Sequence, residues 1–195
     1  MYAAIDVGSN TVRMLIGRCT ATGIKTEIYR QRITRLGGNY VEGRGLAPDS
    51  LERTLSAFSD YTDILQGMNI KKVRVVGTAA LRRAENSQHL VNLIKLKTRM
   101  RLEIINGREE ARLSSAGVLS SIDPCPETSL IIDIGGGSTE FVFYDKQRML
   151  FTHSYPLGVV QLCEEMPEAE QRIAFIEDMI DKFSADLIYA GITPD

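Results

Sequence analysis

The 195-residue sequence predicts an α/β fold built from two related domains. Three observations predict it. Strand-like apolar runs alternate with helical stretches. One phrase is written twice, as IDVGSNT at residues 5–11 and IDIGGGST at residues 132–139. The order strand, Gly-rich turn, strand, third strand, helix then follows each copy, as a duplicated unit would.

Taken in order, YAAIDV at 2–7 reads as a buried strand ended by Gly8, TVRMLIGRC as a second strand and KTEIYRQRIT as a third, which makes a meander. A Gly-rich loop, LGGNYVEGRG, follows. Pro48-Asp49 then opens a helix to about residue 66, with Leu51, Leu55, Phe58 and Leu65 near helical spacing. VRVVG at 73–77 is a short buried strand, NSQHLVNLIKLKT a helix, RLEII a strand and REEARLSSAGVLSSI a helix. A loop with two prolines, DPCPETS, sets a boundary near residues 123–129. Residues 1–125 are then a first domain, and 126–195 are the start of a second. In the second copy the meander LIIDIGGGSTEFVFYD and MLFTHSYPL is followed by a helix over about 168–189, without the strand and helix units that follow in the first.

Composition narrows the function classes. Cys19, Cys125 and Cys163 are odd in number and scattered, which argues against a disulfide framework and a zinc site. His89 and His153 have no partner at metal-ligand spacing. No apolar run approaches the length that spans a membrane, and the first residues lack a signal pattern, so a cytoplasmic protein is expected. The charge is uneven: residues 71–112 hold eleven Lys and Arg against four Asp and Glu, and residues 113–195 hold four against fourteen. Two solvated faces would account for this, and so would a basic site for a polyanion.

The doubled phrase carries the chemistry. Asp6 and Asp133 each close a strand two positions before a turn rich in Gly, Ser and Thr. Such a turn offers backbone N–H groups to phosphate oxygens, and the hydroxyls of Ser9, Thr11, Ser138 and Thr139 add donors. A neighbouring Asp can hold a divalent cation, Mg²⁺ being the natural choice beside phosphate. Neither turn is a P-loop or a Rossmann turn, because no Gly-Lys-Ser/Thr follows and a strand rather than a helix comes next. The pairing suggests two turns that grip a phosphate chain from two sides.

In INGREEAR, Asn106 and Glu109 have the spacing of a helix N-cap and its capping-box partner. Glu110 is not needed for that. It either favours the helix dipole or serves as a general base toward water. Arg82 and Arg83 in GTAALRRAENS follow a strand, where α/β loops meet ligands; they read as a solvated pair or as a guanidinium clamp on phosphate.

The blocks AAIDVGSNTVRMLI, GTAALRRAEN, EIINGREEARL and LIIDIGGGSTEFV, in this order and spacing, resemble the exopolyphosphatase and guanosine pentaphosphate phosphohydrolase (Ppx/GppA) family. The resemblance covers residues 2–160 and implies duplicated ribonuclease-H-like domains of the actin-like ATPase superfamily, each a mixed sheet with flanking helices, the second truncated. It implies Mg²⁺-dependent release of phosphate from inorganic polyphosphate or pppGpp. By the same resemblance Glu110 is the catalytic base. Asp6, Gly8, Ser9, Asn10 and Thr11 form one phosphate loop, Gly135, Gly136, Gly137 and Ser138 the other, Arg82 faces phosphate, and Asp133 and Glu140 hold metal. Two other readings stay open: a sensor that binds (p)ppGpp without turnover, and an ATP-dependent kinase or ATPase of the same superfamily. The partners expected are polyphosphate or guanosine penta- or tetraphosphate, with no membrane and no sequence-specific nucleic acid. An exposed sheet edge would favour association into a homodimer.

Overall fold

The computed structural model describes residues 1–21, 23–40, 45–123, 126–146 and 148–192. Residues 41–44 of the Gly-rich loop, Cys125 at the expected boundary and the last three residues lie outside the described residues. The chain divides into two compact units, Met1–Asn106 and Gly107–Asp195.

The first unit begins with the predicted meander, β1 (Tyr2–Val7), β2 (Thr11–Thr20) and β3 (Gly23–Ile33). Helix α1 (Pro48–Gln66), strand β4 (Lys72–Gly77), helices α2 (Ala79–Arg83) and α3 (Ser87–Thr98), and strand β5 (Leu102–Ile104) follow. The strands form one mixed sheet in the order β3-β2-β1-β4-β5, with β4 parallel to β1 and to β5. Strand alternation places Ala3, Ile5 and Val7 on one face, where they join Val12, Met14, Ile16 and Val75. That face is covered by Phe58 and Tyr61 of α1, Leu81 of α2, and Leu90 and Ile94 of α3.

Helix α1 starts where expected, with Pro48 in its first turn and Asp49 favouring the dipole. Helix α3 ends on Arg99 in the left-handed region (φ 61°), with Lys95 and Lys97 in its last turn, the favourable end for cations. Helix α2 stands where the sequence suggests a loop. Its five residues are too few to show a helical period.

The second unit holds α4 (Gly107–Leu119), β6 (Thr128–Ile134), β7 (Thr139–Asp145), β8 (Arg148–Tyr155), α5 (Val159–Glu165) and α6 (Ala169–Tyr189). Among the described residues its sheet is a three-stranded antiparallel meander, β6-β7-β8. On one face Ala111 of α4 packs with Ile131, Val142 and Tyr144. On the other, Phe141, Tyr155 and Leu157 pack with Leu162 of α5 and with Phe175, Met179 and Phe183 of α6. The division at Asn106 falls before the boundary expected near 123–129, because α4 lays its buried stripe, Ala111 and Ser115, within the second unit. Helix α5, a short apolar and acidic segment, was not anticipated. Among the described residues no helix is long and apolar enough to cross a membrane.

Each unit has one buried tyrosine that ties helix to strand. Tyr155 donates its hydroxyl to Asp186 Oδ2 of α6 at 2.6 Å. Tyr61 donates to the carbonyl of Val12 at 2.8 Å, and burial pushes its pKa up, so it stays a donor. Tyr61→Phe keeps the ring and removes the donor. It should lower the stability of the first unit by about 1 kcal/mol, read as a lower urea midpoint at an unchanged m-value.

Candidate active site

The two Gly-rich turns have one construction. Gly8 N–H donates to the Thr11 carbonyl at 2.9 Å, and Gly135 N–H to the Ser138 carbonyl at 2.9 Å. In the first unit the Ser9 carbonyl accepts from Gly37 N–H at 2.7 Å, and the Asn10 carbonyl from Thr34 and Arg35 N–H at 3.0 Å each. In the second, the Gly135 carbonyl accepts from Val159 N–H at 3.0 Å, and the Gly136 carbonyl from Val160 and Gln161 N–H at 3.0 and 3.1 Å. The donors are thus the residues after β3 in one unit and the first turn of α5 in the other.

A planar trans peptide sends its N–H opposite to its carbonyl. Tying the Ser9 and Gly136 carbonyls therefore aims the N–H groups of Asn10 and Gly137 away from the tying segment. Among the described residues no carbonyl or side chain accepts from the N–H groups of Ser9, Asn10, Gly136 or Gly137. Donors with this disposition form an anion-binding concavity.

Beside the first turn, Asp6 lies 3.6 Å from Arg13 across the β1–β2 ladder. Arg82 on α2 donates from Nη1 to the Ile105 carbonyl at 3.1 Å. Strand β4 ends level with β1, Val7 opposite Gly77, so α2 starts at the same end of the sheet as the turn. Gly37 links the two, since a Cβ there would stand 3.1 Å from Ser9 Cβ and 3.5 Å from Ala80 Cβ. Arg83 turns away to stack 4.1 Å over the Tyr40 ring.

In the second unit the carboxylates gather on the α4 face of the sheet. Asp133 and Glu140 are opposite each other in the β6–β7 ladder. Glu140 is 2% exposed, and its Oε1 accepts hydrogen bonds from Ser138 and Ser154, each at 2.7 Å. Ser114 of α4 donates to Asp133. Burial pushes the Glu140 carboxyl above the usual carboxylate range, the negative charges of Glu110 and Asp133 add to the rise, and the two serine hydroxyls oppose it. Glu110 sits in the first turn of α4, while Glu109 is held by Arg112 through Nε and Nη2 at 2.8 and 3.0 Å.

The expected hydroxyl donors of the second turn are otherwise engaged, which corrects the sequence reading. Ser138 gives its proton to Glu140, and Thr139 gives its own to the Leu157 carbonyl at 2.6 Å. What Ser138 leaves for a ligand is its backbone. Among the described residues no group of three or more His, Cys, Asp and Glu side chains is disposed about one cation. The donor set still fits Mg²⁺, which is commonly held by one or two carboxylates together with substrate phosphate. The negative charges that Glu110 and Asp133 place beside Glu140 are also what a cation relieves.

Sequence reasoning missed four residues here. Ser114 follows Glu110 by four positions, so the helical period could have put both on one face. Ser154 reaches Glu140 only through the β7–β8 register, which shifts at Phe143/Tyr144 and cannot be read from either strand alone. Gly107 lets the start of α4 approach β8, because a Cβ there would stand 2.8 Å from Ser154 Cβ. Gly158 lies against the second turn, where a Cβ would come within 2.3 Å of the Gly137 backbone. The ring of His153 lies 4.4 Å from that of Tyr155, tilted by 38°.

Two outcomes follow from this packing. Gly158→Ala should displace the second turn, because backbone cannot yield as a side-chain tip does; the expected result is a lower melting temperature and weaker phosphate protection in a thermal-shift titration. Glu140→Gln tests the raised pKa. A folded carboxyl that holds its proton more tightly than the unfolded one loses stability as pH climbs from about 4.5 through the folded value. The Gln variant should therefore exceed the unsubstituted chain in stability at pH 7, with the difference shrinking toward pH 4, as read by denaturant unfolding at both pH values.

Comparison with known proteins agrees with this geometry. The Ppx/GppA phosphatase family model matches residues 15–188. A bifunctional 3-dehydroquinate synthase/phosphatase of Fusobacterium nucleatum is 30% identical over 173 residues, which is 85% of this chain and 26% of that protein. An exopolyphosphatase from Cytophaga hutchinsonii superposes with a TM-score of 0.88 at 24% identity, over 96% of this chain and 63% of that one, a likeness of fold. The Aquifex aeolicus Ppx/GppA family member superposes with a TM-score of 0.77 at 29% identity, over 95% of this chain and 62% of that one. The chain therefore spans less than two thirds of the length of each of these relatives. With duplicated turns, a mixed sheet flanked by helices and a match over most of its length, the chain belongs to the Ppx/GppA phosphatase family, within the actin-like ATPase superfamily.

Proposed function

We propose that this chain carries the catalytic elements of a phosphohydrolase that removes terminal phosphate from inorganic polyphosphate or from the 5′ end of pppGpp. The observation that carries the reading is the matched pair of turns, each with N–H donors that no group takes among the described residues. The second turn shares its unit with the carboxylates Glu110, Asp133 and Glu140. Such donors suit a chain of phosphates, which presents many acceptors and little else.

In this reading Gly8 to Thr11 and Gly135 to Ser138 bind phosphate oxygens, and Asp6 and Arg82 flank the first of these turns. Glu110 takes a proton from a water molecule, whose oxygen attacks the terminal phosphorus in line with the bridging oxygen. A P–O bond forms to the water oxygen, the bridging P–O bond breaks with its electron pair staying on the bridging oxygen of the shortened chain, and the terminal group is released as orthophosphate. Arg82 offsets charge on the phosphates of the substrate chain. Asp133 and Glu140 would hold Mg²⁺, which supplies charge neutralisation at the phosphate oxygens. Ser138 and Ser154 fix Glu140, so that its orientation does not depend on the ligand. The excess of Lys and Arg over residues 71–112 supports polyphosphate as the substrate, since each added phosphate brings further cationic contacts.

The test measures orthophosphate release from long polyphosphate, short polyphosphate and pppGpp, with binding followed by calorimetry. Glu110→Gln should slow release by about 10²- to 10⁴-fold while affinity is retained, the pattern of a lost proton acceptor. Equal rates in the two proteins would remove Glu110 from this role. Tight pppGpp binding with no release by the unsubstituted chain would select the sensor reading instead. Chelation with EDTA should abolish release, and Mg²⁺ should restore it.

A further inference from the structure

The two turns share their backbone construction but not their charge. Aligning Gly8 with Gly135 puts Asp6, Thr11 and Arg13 in the places of Asp133, Ser138 and Glu140. Both pairs stand directly opposite in their ladders: Asp6 faces Arg13 between β1 and β2, and Asp133 faces Glu140 between β6 and β7. The aspartate before the turn is thus common to both units, and its partner has the opposite charge.

Directly opposed side chains on a strand pair lie within reach of each other, so the sign of the partner decides what the aspartate can do. Two carboxylates repel, and a divalent cation against them relieves the repulsion. An aspartate and an arginine already cancel. The Arg13 guanidinium lies 3.6 Å from Asp6 Oδ2, where it opposes a divalent ion on that carboxylate.

The surroundings differ in the same sense. Glu140 is 2% exposed and held by two serine hydroxyls. The side chains of Arg13 and Asp6 are 51% and 41% exposed. An ion pair this open contributes little stability, so the contact orients the guanidinium more than it holds the hairpin together. A guanidinium is a permanent cation with five N–H donors, and one directed at Asp6 leaves others for a further acceptor. Phosphate oxygens fit that fork, and phosphate is also what the N–H array of the adjoining turn suits.

We infer that Arg13 is the built-in cation of the first turn: it binds phosphate oxygens there in the role that a divalent ion has at the second, and the chain takes one such ion rather than two. The inference rests on the proposed reading that both turns bind phosphate and that Asp133 and Glu140 hold Mg²⁺. Duplication by itself would supply two equal sites. A guanidinium in place of one carboxylate leaves the first turn able to bind phosphate without metal, and the second dependent on it.

The experiment uses tripolyphosphate and Mn²⁺ as probes, with anion binding followed by calorimetry and bound Mn²⁺ counted by electron paramagnetic resonance. The unsubstituted chain should bind tripolyphosphate in EDTA, and one Mn²⁺ when the metal alone is supplied. Arg13→Gln should weaken the binding in EDTA by at least about tenfold and Arg13→Lys by less, each still taking one Mn²⁺. Arg13→Glu rebuilds in the first unit the carboxylate pair of the second, and should take two. Circular dichroism checks that the variants fold, and a merely structural ion pair would move neither the anion affinity nor the ion count. Unchanged affinity in Arg13→Gln, two Mn²⁺ in the unsubstituted chain, or a single one in Arg13→Glu would overturn the inference and leave the phosphate reading standing. An unsubstituted chain that binds no tripolyphosphate under any condition, or no Mn²⁺, would remove that reading and this inference with it.

Discussion

Each turn depends on where its carbonyl groups are tied. A hairpin loop of Gly, Ser and Asn has many conformations of similar energy, and most scatter its N–H groups. Here the Ser9 and Gly136 carbonyls are each held by N–H donors from the chain that follows the third strand of the unit. Because the peptide is planar and trans, holding the carbonyl also sets the direction of the next N–H. The donor array is thus built by the fold before any ligand arrives, and a ligand need not bear the entropy of ordering it. The meander, the segment after it and the covering helices all serve to keep that tie in place.

The carboxylate set of the second unit poses the opposite problem. Burying Glu140 near Glu110 and Asp133 is unfavourable for an ionised group, and the raised pKa reports that cost. Two serine hydroxyls on one oxygen offset part of it. Ser154 has a second role, because Gly107 rests against it and brings the first turn of α4, with Glu110, onto the same strand. One small side chain therefore sets both where Glu140 points and where Glu110 begins. A larger residue at either contact would move the two acids together.

Much of this was legible in the sequence because it rests on local rules. Period-two alternation gave the meanders, Pro48-Asp49 the start of α1, and the Asp-x-Gly phrases the two turns. The choice between Glu109 and Glu110 came from family resemblance rather than spacing, and the Arg112 contact of Glu109 is consistent with it. What stayed hidden is non-local or short. Helices α2 and α5 have five and seven residues, too few for a period to show. The contact of Ser154 with Glu140 depends on a register shift in a partner strand. The packing of α4 with β6, β7 and β8 depends on a face whose partner lies beyond a loop.

The two turns also show why their sequences differ while their construction does not. The tie requires close backbone approach, so a glycine must stand somewhere in the contact. In the first unit Gly37 supplies it, leaving room for the Ser9 side chain at 3.1 Å from where a Cβ would be. In the second, Gly158 approaches the Gly137 backbone itself, at a separation no side chain on Gly158 could share. A glycine at the contact is thus common to both units, Gly37 donating the tie itself and Gly158 standing just before the residues that donate it. Ser-Asn in one turn and Gly-Gly in the other follow from how near that glycine comes. The doubled phrase marks the visible half of each contact, and the half that fixes its shape lies more than twenty residues further along the chain.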